Sequence, residues 1–368
     1  MSQSLPDRAP ISGPPGELSG LLLLDKPSGP TSFSLVREVR RIAGQRAVGH
    51  LGTLDPLATG LLGALLGPAT RLADQLMGLD KTYLARVVVG LATSTDDVTG
   101  QVWRNWTGPW PSEAQARAAL SSFLGPSSQR PPAYSAIKRG GQVAHRAARA
   151  GRPLELMARP VVAHRLDFLS WEPPEIVFRA QVSSGYYIRS LARDLGESLG
   201  LGGGALKELR REVIGPFVLT PGQAMPQDRA ELADRLLSPR AALMGWPEVI
   251  LTEDETRLVR QGQPVSLRSP WPPSQVELSQ VESSQFESNQ FKSNQGQLTQ
   301  GQPRASEPDQ GPRGEPRVPA PVWEVKIIDS QGQLVGLGQI ITPGLGSGEP
   351  RGPFLRPSRV LRAPLGVE

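Results

Sequence analysis

The stretch Gly49-His50-Leu51-Gly52-Thr53-Leu54-Asp55-Pro56-Leu57-Ala58-Thr59-Gly60 decides how the rest of the chain reads. Proline fixes its own φ and disfavours the helical region at the residue before it. With glycines framing the segment, Asp55 belongs to a rigid loop and not to a helix interior. Such a loop can hold one carboxylate at a fixed angle beside a substrate. An Asx turn, in which the carboxylate serves only the local backbone, is the other reading.

Outward from this loop the apolar pattern is nearly continuous from Gly20 to about Trp246. Upstream, Leu35, Val36, Val39 and Ile42 fall on one helical face of Ser34–Ala43, with Arg37, Arg40 and Arg41 opposite and Thr31 or Ser32 as the cap. Downstream, Lys81–Val89 is rich in β-branched residues and predicts a strand. Ile176, Phe178, Ala180 and Val182 alternate with polar neighbours, as in a half-buried strand. Ile188, Leu191, Leu195 and Leu199 then recur at helical spacing, and Gly200 is a natural stop. Interleaved strands and helices predict an α/β or α+β body.

Composition narrows the chemistry. The 368 residues carry 40 basic and 35 acidic side chains, a formal charge of +5, and no cysteine. Disulfides, thiolate nucleophiles, cysteine zinc sites and iron–sulfur clusters are therefore excluded. Three scattered histidines (His50, His145, His164) argue against a protein-only metal centre, and no metal or cofactor is expected. The run Leu21–Leu24 ends at Asp25-Lys26, far short of a membrane span, and the first twenty residues do not resemble a signal peptide, so a cytoplasmic protein is expected. Only 6 of the 40 basic residues are lysine. Arginine forks suit phosphate and base recognition, although a GC-rich genome would give the same bias.

The two ends differ from the middle. Residues 1–19 read as a disordered leader. Residues 274–303 run SQVEL, SQVES, SQFES, NQFKS, NQGQL, TQGQP, a drifting five-residue repeat that matches neither helix nor strand periodicity. A Pro/Gly/charge-rich tract follows to residue 320; both read as a low-complexity insertion at about 270–320, with an interaction segment as the alternative. Beyond it, Val322–Ile328 and Leu334–Ile341 predict two strands around the turn Asp329-Ser330-Gln331-Gly332, to be joined with Val249–Val265 in a small β-rich domain.

Six ordered segments between about residues 20 and 217 resemble the TruB-type pseudouridine synthases. Residues 49–60 resemble the catalytic loop of that family, Gly-His-x-Gly-(Thr/Ala)-Leu-Asp-Pro-x-Ala-x-Gly. Leu22–Ser32 resembles the family's opening strand and Lys-Pro turn, and Asp80-Lys81-Thr82-Tyr83 its Lys-x-Tyr motif. Thr93–Gly100, with Asp97 in the acidic position, and Gln129–Lys138 are similar to two further family segments. Gly185–Leu191 precedes Asp194-Leu195-Gly196 and Leu209-Arg210-Arg211 in the family's order. Departures are Tyr186 where the family usually has Thr, no His in Gly202–Leu206, and Glu212 where Thr is usual.

The resemblance implies a pseudouridine synthase catalytic fold over 20–245, with a mixed, largely antiparallel central sheet and a T-loop-clamping segment near 125–152. It also implies a PUA-like β-rich C-terminal domain over 246–368, interrupted by the insertion. The implied activity is conversion of uridine 55 in the T loop of tRNA to pseudouridine, by a monomer whose partner is the T arm. Asp55 takes the catalytic role, either attacking the base, attacking the sugar or removing a sugar proton. Tyr83 stacks on a flipped uridine, Arg189 pairs with Asp55, Tyr187 completes the pocket, and His50 fills the space the nucleotide vacates. Leu209 matches a substrate-contacting position, although a leucine at that spacing also reads as core. Lys138, Arg139, Arg146 and Arg149 form a basic segment suited to RNA phosphates, or else a solvated face. Two other readings stand beside this one: a non-catalytic tRNA-binding or folding protein, and a synthase directed at another RNA by a guide. The Gln129–Lys138 region favours stand-alone action on tRNA.

Overall fold

The computed structural model describes residues 16–267, 322–341 and 353–361. The five-residue repeat lies outside the described residues. The chain divides into two compact units, one spanning Gly16–Ser238 and the other beginning at Pro239, several residues before the boundary expected at 245/246.

In the larger unit β1 (Gly20–Lys26) is followed by α1 (Ser32–Ala43), β2 (Val48–His50), β3 (Thr59–Leu66), α2 (Ala73–Met77) and β4 (Lys81–Val89). Next come β5 (Leu91–Thr93), β6 (Val102–Asn105), α3 (Glu113–Ser121), β7 (Gly125–Gln129), β8 (Lys138–Arg139), β9 (Gln142–Val143) and α4 (Ala144–Arg149). The unit continues through β10 (Arg159–Glu172), β11 (Glu175–Val182), α5 (Ile188–Ser198), β12 (Gly204–Ile214), β13 (Phe217–Val218) and α6 (Arg229–Asp234). The main sheet runs β1-β3-β12-β4-β11-β10-β7, with β2 added to β3 and β13 to β12. Its described pairings are antiparallel except β3 with β12, a parallel seam of two rungs, Arg210↔Thr59 and Arg211↔Gly60. The mixed, largely antiparallel sheet is the one the resemblance implies.

Two helices follow their sequence pattern closely. On α1 the buried residues include Leu35, Val36, Val39 and Ile42, packed with Leu22, Leu24, Leu62 and Leu66 of β1 and β3. Thr31 accepts from the Ser34 N–H, and Gly44 closes the helix in the left-handed region. On α5, Ile188, Leu191 and Leu195 pack on Ala85, Val87, Phe178 and Leu206 of β4, β11 and β12. Full burial of one such leucine is worth about 2 kcal/mol, so each helix is held chiefly by its apolar face.

Residues 16–19, expected as the end of a disordered leader, are part of the described fold. Leu18 is 3% exposed and joins the α1 cluster, while its N–H and C=O both bond the Gln45 side-chain amide. An apolar residue with a satisfied backbone docks there, although its Pro/Gly-rich surroundings read as unstructured.

The second unit holds β14 (Glu248–Ile250), α7 (Glu253–Arg260), β15 (Val265–Ser266), β16 (Val322–Ile328), β17 (Leu334–Ile341) and β18 (Phe354–Val360). Its sheet order is β14-β16-β17-β18-β15, so strands on both sides of the insertion pair with each other in one PUA-like β-rich sheet. Asp329 shapes the expected turn by accepting from the Gln331 and Gln333 N–H groups. Between β14 and β15 the chain forms a helix, nucleated by a reciprocal capping box of Thr252 and Glu255.

Candidate active site

The loop after β2 is held from both sides. Leu51 N–H donates to Gly63 O, and Ser32 Oγ bonds both the N–H and the C=O of Leu54. Gly29 N–H donates to Pro56 O at 2.8 Å. Beneath the loop lies Lys26, 0% exposed, whose Nζ donates to Pro27 O (2.9 Å), Pro56 O (3.2 Å) and Ala58 O (2.6 Å). Burial lowers its pKa to about 8, opposed by the Asp55 charge. Arg211, 1% exposed, donates through Nε to Leu61 O and through Nη2 to Gly52 O. Gly60 sits at φ +99°, and a Cβ there would overlap the Arg211 main chain, so only glycine lets the two-rung seam close. Asp25 at the end of β1 pairs with Arg210 at 2.8 Å. The loop is thus pinned by two buried cations and its neighbours' backbone, and Asp55 occupies a fixed place on it.

Arg189, on the first turn of α5 and 5% exposed, faces Asp55. Its Nε lies 2.8 Å from Asp55 Oδ2, and its Nη2 donates to Oδ1 at 3.1 Å. The remaining donors bond Thr95 O (2.9 Å) and Tyr134 O (2.9 Å), and Asp97 Oδ2 stands 4.0 Å away. Asp97 is itself fixed by the Thr95 and Thr99 hydroxyls and the Thr99 N–H. Burial pushes the Asp55 carboxyl above its ordinary range; the Arg189 charge and hydrogen bond pull it back, while Asp97 adds to the rise. The pair therefore keeps a partly desolvated carboxylate oriented, as the sequence expectation for Arg189 requires.

The other expected residues fall in different settings. Tyr83 on β4 is half-buried and leans on the core cluster. Tyr187 is the residue before α5; the Arg159 guanidinium lies 4.9 Å from its ring centroid. His50 on β2 is half-buried, its Nδ1 has no hydrogen-bond partner among the described residues, and burial followed by the Arg211 charge lowers its pKa. Leu209 is 8% exposed and belongs to the same core cluster as Leu191 and Phe178, so the packing reading of that leucine holds structurally. Lys138 and Arg139 on β8, and Arg146 and Arg149 on α4, are all exposed.

Residues that the sequence left without a chemical task include Lys26, Arg211 and Gln129. All three stand inside recognised motifs, but the burial of Lys26 and Arg211 beneath the loop carries no sequence signal. Gln129 bonds both the N–H and the C=O of Tyr187.

Comparison with known proteins gives the family. Residues 40–188 match the family model for the N-terminal domain of TruB family pseudouridylate synthases. The chain is 44% identical over 252 residues to tRNA pseudouridine synthase B of Parasynechococcus marenigrum, covering 67% of this chain and 85% of that protein. It is 41% identical over 266 residues to the enzyme of the same name from Xanthomonas euvesicatoria pv. vesicatoria, covering 70% and 85%. Among solved structures, the fold matches a chain of an H/ACA ribonucleoprotein bound to a substrate RNA containing 2′-deoxyuridine, with TM-score 0.59, 20% identity, and 97% and 92% of the two chains covered. A Cbf5-Nop10-Gar1 complex matches with TM-score 0.58 and 22% identity over 94% and 85%. At these identities and coverages of the relatives, the chain belongs to the TruB family of pseudouridylate synthases.

Proposed function

We propose that this chain is a stand-alone tRNA pseudouridine synthase that converts uridine 55 of the T loop, with Asp55 as its catalytic residue. The observation that carries this reading is the Asp55–Arg189 pair on a loop pinned by Lys26 and Arg211. The reaction is an isomerisation: the N1–C1′ bond breaks, the uracil turns, the C5–C1′ bond forms, and the C5 proton is lost as N1 gains one. No atom or electron enters or leaves overall. Attack on the base, attack on the sugar and removal of a sugar proton all need an ionised carboxylate facing the nucleotide. Arg189 supplies the counter-charge and fixes the carboxylate's angle.

In this reading Tyr83 stacks on the flipped base, Tyr187 walls the pocket, His50 fills the space the nucleotide vacates, and Leu209 adds an apolar edge from the core. Lys138, Arg139, Arg146 and Arg149 grip phosphates of the T arm. The relatives named tRNA pseudouridine synthase B favour tRNA over a guide-directed substrate. The reading takes the chain to act as a monomer on the T arm, and a tRNA substrate suits the cytoplasm. No helix among the described residues is long and apolar enough to cross a membrane.

The test is incubation with an unmodified tRNA transcript followed by chemical mapping of pseudouridine. A new mark at position 55 is expected. No mark, or a mark confined to a different RNA, overturns the reading.

A further inference from the structure

Gln129 and Arg159 face each other across the ladder between β7 and β10. They are the two residues from which the segment 130–158, with its exposed cations, departs and returns. Both also hold one tyrosine. The 5% exposed Gln129 accepts from the Tyr187 N–H (2.8 Å) and donates to the Tyr187 C=O (3.1 Å), so its amide closes a ring with that residue's main chain. Arg159 lays its guanidinium on the Tyr187 ring and donates to the Gly185 C=O. The grip continues along α5, where Ser190 Oγ donates to Arg130 O, and Arg189 donates to Tyr134 O.

We propose that Gln129 and Arg159 are positioning residues that clasp Tyr187 by its backbone and its ring face, setting the pocket wall from the root of the RNA-gripping segment. This rests on the reading of Tyr187 as a wall of the uridine pocket. A cation over an aromatic face fixes the ring's plane, and the paired amide bonds fix its main chain. Among the described residues neither bonds the Asp55 carboxylate; their effect on the reaction passes through Tyr187. The clasp also ties the pocket to the segment carrying Lys138 and Arg146, so placement of the uridine wall depends on the element that holds the RNA.

The experiment is a double-mutant cycle with unmodified tRNA, measuring single-turnover rate and tRNA Kd for wild type, Arg159→Met, Tyr187→Leu and the double variant. Arg159→Met is expected to slow conversion about tenfold to a hundredfold with Kd within about threefold. In the Tyr187→Leu background the same change should slow it by less than about twofold, because the ring through which Arg159 acts is gone. Gln129→Leu should behave as Arg159→Met does. A wild-type rate in Arg159→Met, equal effects in both backgrounds, or a loss that follows only Kd or melting temperature overturns the clasp. Should Arg159→Met fail to fold, Arg159→Lys is read in the same cycle, with partial loss expected and the same additivity criterion. A wild-type chain that makes no pseudouridine at position 55 overturns the functional reading, and the clasp with it. A wild-type chain that does so while the cycle is additive overturns the clasp alone.

Discussion

The loop carrying Asp55 and the basic segment 138–149 lie on the same unit yet are built in opposite ways. Around Asp55 the backbone groups of residues 51–58 are tied to Ser32, Gly29, Gly63 and the Lys26 ammonium, and Arg211 holds the approach at Gly52. The basic segment is a two-rung hairpin and a six-residue helix, with its four cations in solvent. Few buried apolar contacts support it, which is the signature of low local opening free energy. Under the proposed function the contrast has a reason: bond rearrangement rewards a group held at one angle, and phosphate binding rewards charges that remain hydrated and adapt to a backbone.

Asp55→Asn attacks the braced side of this contrast most directly. The amide is nearly isosteric but cannot act as a nucleophile or base, so single-turnover conversion should fall by at least about a thousandfold with tRNA Kd within about tenfold. Turnover within tenfold of wild type would remove Asp55 from the chemistry. The wild-type acid limb should lie above the ordinary aspartate range, since burial raises this carboxyl. With the folded pKa above the unfolded one, the native chain binds the extra proton in the window between them. Stability from this group is therefore lost as pH rises through the folded pKa, and a melting series on Asp55→Asn should lack that slope.

Arg189→Lys comes next, at roughly a hundredfold loss of turnover, or about 3 kcal/mol. One ammonium cannot serve both carboxylate oxygens together with Thr95 O and Tyr134 O. A fully active lysine variant would show that charge alone suffices and that the planar fork is not what orients Asp55.

Tyr83→Leu should weaken binding of the flipped base by roughly 1–3 kcal/mol, while Tyr83→Phe keeps the stacking surface. Equal tRNA titrations of Leu and wild type would dismiss the stacking role; a dead Phe variant with intact binding would assign chemistry to the hydroxyl. The smallest effect belongs to the solvated side. Removing Arg146 and Arg149 together should lower the slope of log Kd against log salt by roughly 1.4–1.8, with conversion of bound tRNA unchanged. An unaltered salt slope would mean that this segment does not touch phosphates.

Legibility in the sequence follows the same division between patterned and long-range features. The apolar spacing of α1 and α5, the alternation along β11 and the Asp-Pro loop are local, and each survives into the structure, α1 with its Thr31 cap. Residue identity within ordered motifs also singled out Asp55 and Arg189, 134 positions apart, which the fold brings into one ion pair. Burial of Lys26 and Arg211 was not legible, because a lysine or arginine in sequence reads as surface and only the assembled loop supplies carbonyls for it. Thr95 and Tyr134 hold Arg189 through main-chain carbonyls that every residue carries, so their identity gives no signal. Leu209 shows the converse: its motif position suggested substrate, and its spacing had already suggested the core it joins.

The two-rung seam between β3 and β12 also bears on the order in which this molecule is expected to assemble. Antiparallel neighbours such as β10 and β11 meet through a short connection and can pair early. The seam joins residues about 150 positions apart, so its closure carries a long-loop entropy that only accumulated packing elsewhere offsets. Arg211 reaches Gly52 and Leu61 from the far side of that seam, and Gly60 must slide against its backbone for the strands to meet. The Asp55 loop is therefore expected to be finished among the last features to form, so that a partly folded chain with most of its sheet in place still lacks a set carboxylate.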